Sequence, residues 1–424
     1  MPKDFTVAIV GGGLCGLATA YPLSKAGISV KVFEAAHKFE EVGAGVGFGP
    51  NAIRALEGLG VLPAILARSG EDKPVQRLFK FVEGYAPHKL VFDYETTNTT
   101  NLGLGIYRPA CLDALISLLD PSITQFNKRC TSISTLKSGL TRIHFADNTT
   151  YDADIVIGAD GIRSATRKFV VGENTQSLVF TNTVAYRGLV PLEDLVHAGI
   201  QTDLSVRPTN VIGIGKHIIC FPIMKNTVIN FVAFVAQHDL PKGPQLPMPW
   251  VQAVTHEELK SNFADWGPDG QIIVDHLKNP SKWSIHACIP PLQSYVRERV
   301  VLVGDAAHAM LPHLGAGVGQ GFEDVYVLTR LLTHPQTNKS NLNRILAHYN
   351  EIRPPRANDV LGRSTKAAEI YDNYGPGGFD ANETEALLRG QWEPVWNYDV
   401  RDVIEASFQK LHDNGVFVEQ HTKL

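Results

Sequence analysis

Residues 5–34 of the chain read FTVAIVGGGLCGLATAYPLSKAGISVKVFE, and they carry the strongest structural signal in the sequence. The apolar run Phe5–Val10 predicts a strand, which is followed by a glycine turn. Residues from about Leu14 to Ala26 predict a helix that stops at Gly27, and Ile28–Phe33 predicts a second strand. Strand, helix and strand in this order form a βαβ unit, whose two strands lie parallel in one sheet.

The glycine turn has the spacing GxGxxG, with Gly11, Gly13 and Gly16 at the fixed positions. Glycine at these positions permits a tight turn, close approach of the backbone to a pyrophosphate, and close packing of helix on strand. The helix N-terminus favours the negative charge of that pyrophosphate. Glu34 ends the second strand about 20 residues later, where a carboxylate accepts hydrogen bonds from ribose hydroxyls. The predicted contacts in this unit are Gly11, Gly13, Leu14, Cys15, Gly16, Glu34 and Ala35.

The composition excludes several classes of function. Lys and Arg number 39 and Asp and Glu number 43, so the formal net charge is −4 and no nucleic-acid partner is expected. The five cysteines are scattered without a CxxC pair, so we predict neither a disulfide framework nor a metal site. We find no signal peptide and no apolar run long enough for a bilayer, and therefore expect a cytoplasmic protein that does not enter a membrane.

The pattern along the chain predicts an α/β fold with a discontinuous Rossmann-like nucleotide-binding domain. Buried parallel strands are expected at Ala153–Ile157, Val300–Val303 and Ile123–Asn127. Between them, alternating segments predict antiparallel strands at Val211–Ile214, Ile218–Ile223 and Val228–Val235. We therefore assign residues 1–75, 101–175 and 290–360 to the nucleotide domain, 176–289 to an inserted β-rich substrate domain, and 361–424 to a C-terminal helical segment. In the helical part, we expect Pro354-Pro355 to break the helix and Val400–Asp413 to form a terminal amphipathic helix.

Two later motifs separate FAD from NAD as the bound dinucleotide. GADGIRSATR spans residues 158–167, and GDAAHAMLPHLGAGVGQG spans residues 304–321. Together with GGGLCG, YRPACLDAL, AYRGLV and YNEIRPPR, these segments resemble the single-component FAD-dependent aromatic hydroxylases of the para-hydroxybenzoate hydroxylase class. Within that class the chain looks most like the salicylate hydroxylase branch, and the resemblance spans nearly the whole chain.

The resemblance implies FAD as cofactor and NADH or NADPH as a transient co-substrate, since no second GxGxxG unit is present. It implies that Asp305 binds the ribityl chain, that Arg108 reaches the cofactor, and that Asp160 lies at the cofactor edge. Gly47 lies where the chain of the family passes the FAD. Gly315, Gly317 and Val318 open a helix whose N–H groups face the flavin and favour negative charge on its reduced form.

The expected reaction transfers one oxygen atom of O2 to an electron-rich ring, which is more reactive as a phenolate. His313 precedes the glycine loop and is the candidate catalytic group for the phenolic proton. Arg187 is the candidate partner of a carboxylate or phenolate. His217 is a further candidate substrate-binding residue, while His308 is expected to pack inside the nucleotide domain. Each of these has a structural alternative: a core or capping histidine, or a salt bridge between domains.

Three functions stay open from the sequence. The first is hydroxylation of salicylate or a close relative, with release of CO2. The second is hydroxylation of a polyketide-type or hydroxynicotinate-type phenol, although Ile218–Pro222 lacks the tyrosine of the dearomatising relatives. For such a substrate, Tyr186 or Tyr295 would be available to the pocket. The third is a flavoprotein that does not hydroxylate. The sequence permits a monomer or a homodimer.

Overall fold

The computed structural model describes residues 3–39, 45–74, 79–94, 103–172, 175–375 and 377–418. The strands are β1 Thr6–Val10, β2 Ser29–Phe33, β3 Gly45–Phe48, β4 Lys80–Glu83, β5 Leu90–Asp93, β6 Leu104–Tyr107, β7 Thr124–Gln125, β8 Cys130–Thr135, β9 Thr141–Phe145, β10 Thr150–Ala153, β11 Ile155–Gly158, β12 Val179–Pro191, β13 Thr209–Gly213, β14 Lys216–Ile223, β15 Val228–Ala236, β16 Gly243–Pro244, β17 Val251–Ala253, β18 Ser281–Ala287, β19 Val296–Arg297 and β20 Val300–Leu302. The helices are α1 Leu14–Lys25, α2 Pro50–Gly58, α3 Leu62–Ser69, α4 Arg108–Ile116, α5 Ala165–Val171, α6 Leu192–His197, α7 His256–Asn262, α8 Pro268–His276, α9 Asp305–His308, α10 Gly317–Thr333, α11 Leu342–Tyr371, α12 Ala381–Leu388, α13 Glu393–Trp396 and α14 Val400–Asp413.

A six-stranded sheet holds the βαβ unit, with the order β19-β20-β11-β1-β2-β7. All neighbours from β20 to β7 pair in parallel, and only β19 runs antiparallel. The predicted strand Ala153–Ile157 is in fact two strands, because β10 ends at Ala153 in a separate antiparallel sheet and β11 begins at Ile155. The carboxyl ends of β1, β11 and β20 meet at one edge, where the three glycine-containing motifs lie close together.

The second large sheet is antiparallel for most of its width and has the order β17-β18-β12-β15-β14-β13-β4-β5, with β16 on β12. The predicted strands β13, β14 and β15 are confirmed. The pair β4 and β5, which we had placed in neither domain, joins this sheet because β4 pairs in parallel with β13. The α/β class with its inserted sheet and C-terminal helices is confirmed, while the domain limits stay a prediction.

Helix α11 corrects one expectation. It runs unbroken from Leu342 to Tyr371 through Pro354 and Pro355, and both prolines are accommodated inside it. A proline costs a helix one hydrogen bond, but its fixed φ is helical, so strong tertiary contacts can hold the helix together. Here the residue just before the prolines, Arg353, is fully buried and anchored by ion pairs. The terminal helix α14 spans Val400–Asp413 as predicted.

A buried ionic network joins the end of β20 to the C-terminal helices. One oxygen of the Asp324 carboxylate accepts hydrogen bonds from the Gly304 N–H (2.8 Å) and from His308 Nε2 (2.6 Å). The other oxygen accepts from Arg353 Nε at 2.7 Å, and Arg353 also pairs with Glu323 at 3.0 Å. His308 therefore packs inside this domain as predicted. Breaking a buried ion pair leaves a charge without compensation, so each member is essential to the others.

We expect Arg353→Met to lower the free energy of unfolding by about 3–5 kcal/mol, because it takes the guanidinium away from the buried Asp324 carboxylate and leaves Glu323 paired with Arg356 alone among these two arginines. The matched control on the same helix is Arg363→Met, which removes an exposed pair with Asp359. That control should change the free energy by no more than about 1 kcal/mol. Urea unfolding of both variants makes the comparison. Equal losses in the two variants would show that the network contributes no special stability.

Candidate functional site: a glycine-rich cradle beside a buried histidine pair

The backbone of the GxGxxG loop requires glycine at two of its three fixed positions. Gly11 has φ of +104°, and a Cβ there would lie 2.3 Å from the carbonyl oxygen of Ala159. A Cβ on Gly16 would lie 2.0 Å from the carbonyl oxygen of Gly11. Nothing lies within 4 Å of the Cβ position of Gly13. The loop thus leaves open space at Gly13, in front of α1, where a pyrophosphate would approach the backbone.

Glu34 is held at the loop by two backbone donors. Its carboxylate oxygens accept from the Gly12 N–H at 2.8 Å and from the Ala36 N–H at 2.7 Å. Each oxygen keeps a further lone pair, which suits a ribose hydroxyl. The Cys15 thiol is turned away from this site, since it packs against Gly304 and Gly321. Only the backbone of Cys15 is therefore available to a cofactor. Gly321 allows α10 to pack closely against Cys15 and Gly304.

The segment after β20 supplies the second half of the cradle. Asp305 is exposed while its neighbours Gly304 and Ala306 are buried, and its carboxylate has no hydrogen-bond partner among the described residues. Gly315 has φ of +62° and open space beside it, and Gly317 begins α10 without a side-chain cap. The first N–H groups of α10, including that of Val318, are therefore available to an anionic ligand. Gly47 also has nothing within 4 Å of its Cβ position.

Asp160 caps the helix that follows it. Its carboxylate accepts four hydrogen bonds, from the backbone N–H groups of Ala165 and Thr166 and from the hydroxyls of Ser164 and Thr166. These bonds cap the N-terminus of α5 and use the full capacity of the side chain. They also fix the turn that packs against Gly11. The position of Asp160 at the cofactor edge stays a prediction.

The candidate substrate residues share one face of the large sheet. Side chains alternate between faces along a strand, and directly paired residues project to the same side. Ala185 pairs with Phe234, which pairs with His217, while Arg187 pairs with Val232. Arg187 and His217 thus lie on the same face, with β15 between them. The floor between them is apolar and consists of Ala185, Ile219, Val232 and Phe234.

Arg187 is a cation without a carboxylate partner among the described residues. Its guanidinium carbon lies 4.6 Å from the ring centroid of Trp283, and its Nε is buried without a hydrogen bond. Burial lowers the pKa of Arg187 to about 10, and the positive charge of Arg108 adds to this effect. Arg108 at the start of α4 acts electrostatically on both Cys15 and Arg187.

His313 and His217 form a buried hydrogen-bonded pair that the sequence did not reveal. His313 Nδ1 lies 3.1 Å from His217 Nε2, and His217 Nδ1 lies 2.6 Å from Asp372 Oδ1. His238 Nε2 lies 2.7 Å from the other oxygen of Asp372. Its histidine partners hold the pKa of Asp372 at about 2 in spite of burial, so this carboxylate is ionised and can only accept.

The ionised carboxylate fixes the tautomers along the chain. His217 must donate its Nδ1–H to Asp372, and its Nε2 lone pair then accepts the Nδ1–H of His313. His313 Nε2 is left as a buried lone pair without a partner among the described residues. Burial, assisted by the neighbouring His217, lowers the pKa of His313 well below its usual value. His313 is therefore a neutral base at neutral pH.

Helix α11 holds the His313 loop in place. The Ser364 hydroxyl donates to the Leu311 carbonyl at 2.5 Å and lies 3.4 Å from the Leu314 N–H. The expectation that Tyr186 or Tyr295 would be available to this site is wrong. The Tyr186 hydroxyl binds Glu258 beside α7, and Tyr295 binds Asn358 inside the nucleotide domain.

Asp372 and His238 are the functional candidates that sequence reasoning missed. Asp372 lies more than 100 residues after both His217 and His238 in the chain, and β15 lies between the two histidines. Neither Asp372 nor His238 lies in a motif. No local pattern identifies either residue, because the contacts with His217 and Asp372 are long-range. A cleft of about 420 Å³ elsewhere, lined by Arg68, Tyr107 and Lys225, includes neither His313 nor Arg187. It therefore contributes nothing to the assignment of this site.

The two kinds of glycine in the loop should respond differently to alanine. Gly16→Ala should destabilise the apoprotein, because its Cβ collides with the loop backbone. Gly13→Ala should leave the apoprotein intact and weaken FAD binding, because its Cβ enters the open space. Thermal unfolding of the apoproteins and titration with FAD separate the two effects. Normal FAD affinity in Gly13→Ala would place the pyrophosphate elsewhere.

The pH dependence of stability should report the neutral state of His313. Its pKa is lower in the folded than in the unfolded chain, so the unfolded chain binds the extra proton first as pH falls. This group therefore costs stability below pH of about 6.5, by at most roughly 1.4 kcal/mol per pH unit. His313→Gln should flatten the curve between pH 5 and 6.5 relative to the parent, as measured by urea unfolding. An identical slope in both proteins would contradict the assignment.

Comparison with known proteins agrees with this geometry. Residues 4–364 match the family model of the FAD binding domain. A salicylate hydroxylase of Pseudomonas putida is 39% identical over 417 residues, which cover 94% of this chain and 93% of the relative. A 6-methylsalicylate 1-monooxygenase of Aspergillus terreus is 33% identical over 93% of this chain and 90% of its own.

Solved structures give the same result. A salicylate hydroxylase substrate complex superposes with a TM-score of 0.83 at 33% identity, covering 96% of this chain and 98% of that one. The HpxO protein of Klebsiella pneumoniae, solved with FAD and uric acid, shares the fold at 23% identity with a TM-score of 0.74. Among the described residues, none of the helices is both long and apolar enough to cross a membrane. Similarity over nearly the full length shows that the chain belongs to the FAD binding domain family and is an FAD-dependent aromatic monooxygenase.

Proposed function

We propose that this enzyme hydroxylates salicylate, with NADH or NADPH and O2 as co-substrates, and releases catechol and CO2. The observation that carries the proposal is the pairing of a neutral base with a partnerless cation. His313 Nε2 and the Arg187 Nε are both buried without a hydrogen bond, at the two sides of one apolar sheet face. A small aromatic ring with a hydroxyl and a carboxylate would satisfy both.

Arg187 is proposed to bind the carboxylate. A guanidinium forms bidentate, charge-assisted hydrogen bonds with a carboxylate, and stacking on Trp283 holds its plane. Its lowered pKa reflects burial without a counter-charge, which a bound carboxylate would supply. The apolar floor of Ile219, Val232 and Phe234 is suited to the face of an aromatic ring.

His313 is proposed to accept the phenolic proton at Nε2. A phenolate directs electron density into the ring, so deprotonation prepares the ring carbon that carries the carboxylate for attack by oxygen. The carboxylate then leaves as CO2, and the electron pair of the broken bond restores the aromatic ring. FAD, held by the cradle and reduced by the nicotinamide nucleotide, supplies the activation of O2.

The cradle residues are proposed to hold FAD as follows. The open backbone at Gly13 and the start of α1 meet the pyrophosphate, and Glu34 meets the ribose. Asp305 accepts hydrogen bonds from the ribityl hydroxyls, and Arg108 reaches the cofactor from α4. The N–H groups at Gly317 and Val318 would stabilise negative charge on the reduced ring. The five cysteines form no disulfide, so we propose that the enzyme works in the reducing environment of the cytoplasm.

The test is NADH oxidation by FAD-loaded enzyme with and without salicylate, with catechol measured against NADH consumed. His313→Gln should lower kcat about 100-fold or more, because it removes the general base. Arg187→Gln should raise KM for salicylate by roughly 10- to 100-fold, since a charge-assisted hydrogen bond contributes about 1.5–3 kcal/mol. Arg142→Gln, at an exposed ion pair in another sheet, is the control.

Each outcome separates the possible substrates. Stoichiometric catechol supports salicylate. Faster NADH oxidation that yields peroxide without catechol would mean that salicylate only mimics the true phenol, and 6-methylsalicylate would be tested next. No stimulation by either compound would contradict the proposal and favour a larger phenol.

A further inference from the structure

We propose that His217, Asp372 and His238 form a proton relay that carries the phenolic proton from His313 to solvent at the end of β15. This inference rests on the proposed function, because it begins with the proton that His313 accepts. The relay is defined by its four residues, His313, His217, Asp372 and His238. They bring three different parts of the chain together through hydrogen bonds of 3.1, 2.6 and 2.7 Å.

The buried members of the relay offer a proton a polar route from His313 to the surface. His313, His217 and the Asp372 side chain are enclosed, with exposed fractions of 1%, 0% and 0%. Aromatic side chains pack around the two histidines. The Phe234 ring stacks on the His217 ring with centroids 4.7 Å apart, and the Tyr371 ring meets His217 edge-on with centroids 5.3 Å apart. The His238 side chain is 31% exposed and is the first member of the relay that reaches water.

Every atom in the relay has the role that proton transfer requires. The substrate hydroxyl gives its proton to His313 Nε2, and His313 gives its Nδ1 proton to His217 Nε2. His217 gives its Nδ1 proton to Asp372 Oδ1. His238 starts as an imidazolium whose Nε2–H is held by Asp372, and it gives its Nδ1 proton to water. One proton leaves the protein for each phenolate formed. All members of the relay end neutral, because Asp372 has gained a proton and His238 has lost one, and the negative charge now lies on the substrate, beside Arg187.

The charges around the relay favour this transfer. A negative charge already exists in the interior at Asp372, and moving it costs less than creating a second one. Asp372 raises the pKa of His238, with additional help from the nearby Glu369 and Asp239. His238 is therefore ready to hold a proton and release it at the surface. The groups that face His313 are His217, Asp372 and, more distantly, His238.

The test measures proton release directly and does not require turnover. Oxidised, FAD-loaded enzyme is mixed rapidly with salicylate in weak buffer that contains a pH indicator, without NADH. Binding is followed by the flavin absorbance, and the released proton by the dye. In the parent enzyme we expect release of close to one proton per site. In His238→Ala, release should be at least fivefold slower than binding, and imidazole added to the buffer should restore it.

Two further variants guard against a purely structural effect. His197→Ala removes a histidine that is 74% exposed and outside the relay, and it should behave like the parent. Asp372→Asn should block proton release even with imidazole, since the break lies inside the protein. Rescue of His238→Ala by imidazole is not expected from a structural role, because a free base in solution cannot repair packing.

The outcomes for the relay and for the proposed function differ. Unchanged proton release in His238→Ala, with normal catechol formation, would overturn the relay and leave the proposed function standing. Slowed and rescuable release without any catechol would support the relay and overturn salicylate as the substrate. If salicylate causes no flavin change at all, both proposals fail, because the site then accepts no phenolic acid.

Discussion

The buried carboxylate of Asp324 is the interaction on which the cofactor side of the molecule depends. It binds the backbone of Gly304 at the end of β20, the ring of His308 in α9, and Arg353 in α11. Asp305 begins α9 and the turn at Gly315 follows that helix, so these contacts position both. A buried anion with three donors is stable only when all three are present. The glycine-rich segment that we propose to hold FAD therefore requires the C-terminal helices, although its motifs lie earlier in the chain.

The substrate side follows from the pleat of the large sheet. Because alternate residues project to opposite faces, the sequence AYR places Tyr186 towards α7 and Arg187 on the opposite face, against Trp283. The same alternation places His217 and Phe234 beside each other on the face that carries Arg187. Three residues here carry different charges. Arg187 is a cation without a carboxylate partner among the described residues, and His313 is a neutral base. The anion Asp372 is separated from His313 by His217. A phenolic acid is complementary to that arrangement.

Local chemistry determined what the sequence could predict. The βαβ unit, the strands β13 to β15, the helix α14 and the motif residues Gly11, Gly13 and Asp305 follow from short-range patterns, and the resemblance supplied the cofactor. Long-range pairing decided the rest. The parallel joining of β4 to β13 and the contact of His217 with Asp372 have no local signal. The cap that Asp160 forms on α5 could not be predicted, because a capping aspartate and a ligand-binding one look alike in a turn. The prolines of α11 were outweighed by buried ion pairs.

The unbroken course of α11 has a consequence for how such a chain can evolve. The helix carries Arg353 of the cofactor network and is followed by Asp372 of the relay, roughly 28 Å further on at about 1.5 Å per residue. Inserting or deleting one residue between them would rotate one end by about 100° relative to the other, so both carboxylate–cation contacts could not be kept. Point substitutions on the outer surface of this segment should be tolerated freely during divergence. Insertions and deletions in this segment should be removed by selection. Related chains that keep both contacts should therefore keep the same number of residues between Arg353 and Asp372.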